Sequence, residues 1–185
     1  MNRIQSRPNR ALRAVLPLTI TAASLAACST LAELPTERIG SATMMLSNGL
    51  PAGTVQLLAN GDKVTLAVAA TGIAAGPRGF HLHTKGECTR PDFTSAGGHL
   101  NPQGRAHGKD APGGAHVGDM PNLVFDSRQT ASLSFDLPGT RAEVENWIFD
   151  ADGTAVIIHA GEDDYRTDPT GNAGARAACG VLTRN

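Results

Sequence analysis

The sequence predicts an all-β domain, an antiparallel sandwich or barrel of about eight short strands carrying two long loops. Three observations predict it. The chain is rich in turn formers and poor in aromatic side chains, with 21 Gly, 11 Pro and 4% aromatic residues. Its apolar residues come in short runs, some alternating as a half-buried strand does. Two long polar intervals break these runs, one ending near Gly118 and one spanning Gly161–Ala178. At 185 residues one domain is expected. The formal net charge of −1 gives no reason to expect a nucleic-acid partner.

The first residues stand outside that domain. Arg3, Arg7, Arg10 and Arg13 precede a mainly apolar run, Ala14–Ala27, which is short and interrupted by Pro17. A basic start and a short apolar core read as a secretory signal rather than a membrane span. The run ends in Leu25-Ala26-Ala27-Cys28, which resembles the lipobox of bacterial lipoproteins. Residues 1–27 are therefore expected to be a signal peptide, Cys28 a lipidated first residue, 28–40 a tether and 41–185 the domain. Removing residues 1–27 would take away four arginines and no acid, moving the formal charge from −1 to −5. Export implies the periplasm or cell envelope, where disulfides persist. With Cys28 acylated, Cys88 and Cys179 remain as a candidate pair.

Thr43–Ser47 and Gly53–Ala59 are the first strand candidates, and Asn60-Gly61 after them is a hairpin signal. Val64, Leu66 and Val68 alternate with Thr65, Ala67 and Ala69, the pattern of a half-buried strand. Gly79–Thr84 follows as a strand, then the first long interval. Loops of that length inside a domain are uncommon and usually functional. Asn122–Asp126 and Thr130–Asp136 read as a strand pair, Arg141–Trp147 as a short helix, and Thr154–Ala160 as an apolar strand. Cys179–Thr183 closes the chain.

Five of the six histidines lie between Gly79 and Met120. His81 and His83 are two apart in a strand, so their imidazoles share one face and Leu82 takes the other. His99, His107 and His116 follow, with Asp119 three residues after the last. Three imidazoles and a carboxylate suit four-coordinate zinc. His159 ends the apolar strand "TAVIIHAG". Two neighbouring metal sites account for all six histidines together.

"GFHLH", "GGHLNP", the spacing of His99, His107, His116 and Asp119, "IIHAGEDD" and "GNAGARAACGVL" resemble copper,zinc superoxide dismutase of the bacterial secreted type. The resemblance runs from Ser41 to the C-terminus. It implies a Greek-key barrel or flattened sandwich with the metals outside the wall, between the two loops. It implies copper on His81, His83, His99 and His159, and zinc on His99, His107, His116 and Asp119, with His99 shared. Asp163 matches an acid that would link His81 and His107; Asp164 is the rival, and spacing favours Asp163. Arg176 matches the arginine that docks the anion, and Cys88–Cys179 the intrachain disulfide. The implied reaction converts superoxide to oxygen and hydrogen peroxide by alternate reduction and oxidation of copper, with His99 returning a proton. The resemblance allows a homodimer. A non-catalytic copper/zinc-binding envelope lipoprotein is the competing reading; it would need neither Arg176 nor a shared histidine.

Overall fold

Strands β2 (Pro51–Asn60) and β3 (Lys63–Thr71) form the hairpin that the alternation predicts. Val64, Leu66, Val68 and Ala70 are buried on one face of β3, while the residues between them are more exposed. The computed structural model describes residues 36–185; the signal segment, Cys28 and most of the expected tether lie outside the described residues. The turn is centred one residue later than the Asn-Gly signal suggests. Asn60 still pairs with Lys63, and Gly61, at φ 59°, is the first of the two turn residues.

Strand β1 is longer than expected, running Glu37–Leu46 rather than from Thr43. Its first half has weak alternation and a bulge between Arg38 and Gly40, so pattern alone misses it. It overlaps the expected tether over residues 37–40. After β3 come β4 (Gly76–Arg78) and β5 (Phe80–His83), then β6 (Leu123–Phe125) and β7 (Thr130–Asp136). β6 and β7 do not pair with each other, contrary to expectation. β6 pairs β4 and β7 pairs β3. Asp126 closes the intervening turn by accepting from the N–H groups of Arg128 and Thr130. The turn is hairpin-like, but its two arms join different sheets.

Helix α1 (Arg141–Ile148) starts at a capping box, with Thr140 and Glu143 each accepting from the other's backbone N–H. It buries Val144 and Ile148, one turn apart. β8 (Ala155–His159), β9 (Arg176–Val181) and β10 (Thr183–Arg184) complete the chain. The main antiparallel sheet has the order β5-β8-β9-β1-β2-β3-β7, with β10 on β1, and curls into a half-barrel. Its non-consecutive neighbours are the crossovers of a Greek key.

β8 reads as a continuous apolar run because both its faces are covered. Val156 and Ile158 point into the main core with Phe80 and Leu82. Ala155 and Ile157 point the other way, into a second cluster with Phe93, Ala96 and Cys179. That second cluster lies beneath the first long loop, so the loop is packed rather than solvated. Leu100, Val117 and Met120 from the same loop reach the main core. The disulfide Cys88–Cys179, with Cα atoms 5.8 Å apart, joins this loop to β9.

Candidate metal centre

β5 fixes the first two imidazoles. Leu82 faces the core, so His81 and His83 face outward, and both are fully buried by what packs over them. The covering chain is the first long loop, which pairs with β5 as irregular strands. Thr84 and Leu82 donate to the carbonyls of Gly98 and Gly118, and Leu100 donates back to Leu82. These bonds set His99 opposite His83, and Asp119 opposite His81. β8 brings His159 in at its end, where its register partner on β9 is Arg176.

Two clusters result. His81, His83, His99 and His159 form one, and His99, His107, His116 and Asp119 the other; in each the ligand atoms lie within 4.8 Å of one another. His99 belongs to both. In the second cluster, Asp119 Oδ1 lies 2.8 Å from His99 Nδ1 and 3.1 Å from both His107 Nδ1 and His116 Nδ1. Tetrahedral ligands about 2.0 Å from zinc stand roughly 3.3 Å apart, so the spacing fits that ion.

Each ring is oriented through one nitrogen. His83 Nδ1–H donates to the Gly97 carbonyl at 2.9 Å and His159 Nδ1–H to the Gly174 carbonyl at 3.0 Å. His81 Nε2–H and His107 Nε2–H donate to the two oxygens of Asp163, each at 2.9 Å. His116 Nε2–H donates to the Arg105 carbonyl at 3.0 Å. These partners assign the tautomers. The other nitrogens of His81, His83 and His159 are buried and have no hydrogen-bond partner, and neither does Nε2 of His99. Unpartnered buried nitrogens are costly unless something coordinates them. These four belong to the first cluster, and the fifth such nitrogen, Nδ1 of His107, belongs to the second. An all-imidazole set suits copper, and an imidazole set with one carboxylate suits zinc.

For His83, His159 and His99 the electrostatics agree with ligation. Burial, and then neighbouring positive charge, lowers His83 to about 2, and His159 falls to about 3 for the same reasons. Burial also lowers His99, to about 4, against its bond to Asp119. These rings are neutral at ordinary pH, the form that binds metal. Burial pushes His107 down too, but its bonds to Asp119 and Asp163 outweigh this and raise it to about 9. Burial would raise Asp119 and Asp163, yet the histidine bonds hold both well below the usual carboxylate range. Asp119 Oδ2 accepts from the N–H groups of Gly108 and His116, leaving Oδ1 for the cluster.

Asp163, not Asp164, lies between His81 and His107. Asp164 is exposed and caps its own loop through Thr167 and Asn172. Gly171 approaches Asp163 at φ 64°, and a Cβ there would overlap both Asp163 and His107. Arg176 is half-buried and donates to the carbonyls of Phe93 at 2.5 Å and Gly97 at 2.6 Å. The Gly97 carbonyl therefore holds both Arg176 and His83.

Several partners escape sequence reasoning. Asn122 exchanges two hydrogen bonds with the Asp163 backbone. Tyr165, the chain's single tyrosine, donates its N–H to Asp163 and accepts from the Asn122 N–H through its hydroxyl. Asp168 accepts from the His107 N–H. The carbonyls of Gly97 and Gly174 leave no side-chain signature, although "SAGGH" and "GNAG" mark tight turns. A lone tyrosine directly after three acids is the one available signal.

Comparison with known proteins extends this picture. Residues 51–182 match the family described as copper/zinc superoxide dismutase (SODC). The chain is 39% identical over 144 residues to Superoxide dismutase (Cu-Zn) 2 of Aquifex aeolicus, covering 76% of this chain and 84% of that one. It is 36% identical over 145 residues to Superoxide dismutase (Cu-Zn) of Caulobacter vibrioides, covering 76% and 83%. The crystal structure of a SOD-like protein from Bacillus subtilis superposes with a TM-score of 0.72 at 34% identity, over 80% of this chain and 100% of that one.

Proposed function

The chain belongs to the copper/zinc superoxide dismutase family, and on that premise we propose how its residues divide the work of converting superoxide to oxygen and hydrogen peroxide. It is a copper,zinc superoxide dismutase, with superoxide as substrate and both metals as cofactors. His81, His83, His99 and His159 are the proposed copper ligands, and His99, His107, His116 and Asp119 the proposed zinc ligands. Bound copper supplies a one-electron redox couple, which the protein's own side chains lack.

The remaining chemistry belongs to the side chains. His99 engages the zinc cluster through Nδ1, so Nε2 can take a proton without the ring losing its place. Asp163 holds His81 and His107 in one tautomer each and so couples the two clusters. Arg176 docks the anion: its guanidinium stays charged and is fixed by two carbonyls while still lining a cavity. The single observation that carries this reading is that four buried histidine nitrogens without partners converge beside that arginine.

Arg176→Glu tests it. The second-order rate with superoxide should fall at least tenfold while copper and zinc content stay near the parent's. Arg176→Lys should cost less, because a positive charge survives without the forked donor. A fully metallated Glu variant with the parent's rate would remove Arg176 from anion docking.

The N-terminal reading is part of the same proposal. Residues 1–27 would be removed, Cys28 acylated, and the enzyme held at the cell envelope or in the periplasm. The tether would be residues 28–36, since β1 begins at Glu37. The basic, apolar leader ending in "LAAC" supports this. Homodimer formation is also proposed, and Val124 on β6, 68% exposed, is an apolar side chain available for it.

A further inference from the structure

Arg176 shares its cavity with an acid. The cavity, about 510 Å³, includes Ser47, Asp92, Thr94, Ala175 and Arg176 in its wall, and Asp92 and Arg176 are the two charged residues there. Asp92 sits on the segment that also supplies the Phe93 and Gly97 carbonyls holding the guanidinium. The fold therefore sets a carboxylate and the docking arginine on one cavity wall.

We propose that Asp92 restrains anion capture: its carboxylate opposes Arg176 at the cavity wall, so superoxide is captured more slowly than the arginine alone would allow. The proposal rests on the docking role given to Arg176 above.

The fold needs an oxygen at this position but not a charge. Asp92 Oδ1 accepts from the Thr94 N–H at 3.1 Å and the Thr94 hydroxyl at 3.0 Å, an Asx turn that leads into the 3₁₀ turn Thr94–Ala96. An asparagine oxygen makes the same turn. The charge is thus separable from the local structure, and its effect is exerted on whatever enters the cavity. These bonds from Thr94 hold Asp92 below the usual carboxylate range, with Arg176 adding to them, so it is ionised at neutral pH. Conversely, burial lowers Arg176 and Asp92 opposes that shift, so the two groups feel each other. Asp92 is exposed and Arg176 only half-buried. Solvent then moderates the repulsion, and a change of a few fold rather than many orders is the expected scale.

The test uses the holoenzyme with both metals measured in every sample. Asp92→Asn should raise the second-order rate with superoxide about two- to fivefold at low ionic strength. The gain should vanish near 1 M salt, where the Debye length is about 3 Å. Azide, titrated into the copper absorption bands, should bind more tightly by a similar factor, which reads anion capture without turnover. Asp92→Ser, which keeps a side-chain oxygen without charge, should change both readouts in the same direction. Unchanged or lower rate and azide affinity in both variants would overturn the proposal. Arg176→Glu, measured alongside, tells the two readings apart. If it responds and the Asp92 variants do not, Asp92 alone is dismissed. If it is also silent, the docking role fails and the Asp92 proposal falls with it.

Discussion

His99 differs from the other five histidines in having a place in both clusters. The rest each give one nitrogen to a carbonyl or carboxylate of the protein and turn the other toward a cluster. Asp119 has no such double membership and belongs to the His107–His116 cluster alone. Asp119→Ala should therefore lower zinc affinity at least tenfold and copper affinity much less. Competition with a chelator for each metal measures both; equal loss would contradict the division of ligands. At this scale the sequence was partly legible. Histidine and aspartate carry their chemistry in their names, and an H-x-H in a strand implies a shared face. The carbonyls of Gly97, Gly174 and Arg105 could not be read, because every residue has one. Tyr165 and Asn122 could not be read either, since their role depends on two loops meeting.

The strand that reads most clearly, Thr154–Ala160, is apolar on both faces because the first long loop covers its outer side. That loop reads as polar in the sequence, and its apolar anchors carry no local pattern. Phe93 and Ala96 are widely spaced in sequence from Ile157 and Cys179, so no local period announces the cluster. Strand pairing was misread where a good turn, Asp126–Thr130, joins arms of separate sheets. The two kinds of element predict different mutant behaviour. Phe93→Ala should cost about 3–5 kcal/mol and loosen both metals, because it empties the packing beneath the loop. Thr140→Ala should cost about 1 kcal/mol through the lost cap of α1 and leave metal content unchanged. Thermal denaturation with elemental analysis checks the pair. Metal loss in the Thr140 variant, or its absence in the Phe93 variant, would contradict the assignment of loop packing to the site.

At the scale of the molecule, the half-barrel positions β5, β8 and β9 so that four strand residues, His81, His83, His159 and Arg176, meet the two long loops outside the wall. The formal charge, −1 for the whole chain and −5 without the four arginines of residues 1–27, gives no long-range attraction for an anion, so capture depends on the charges at the cavity. Mass spectrometry of the mature N-terminus tests the anchor: an acylated Cys28 is expected, and an unmodified chain beginning elsewhere would remove the anchor while leaving the enzyme. The most direct measurement is superoxide turnover and metal content on one preparation of the mature protein. One copper and one zinc per chain are expected, with a rate that disappears on chelation and returns in proportion to copper restored. A chain carrying both metals that consumes superoxide no faster than its metal-free form would contradict this expectation.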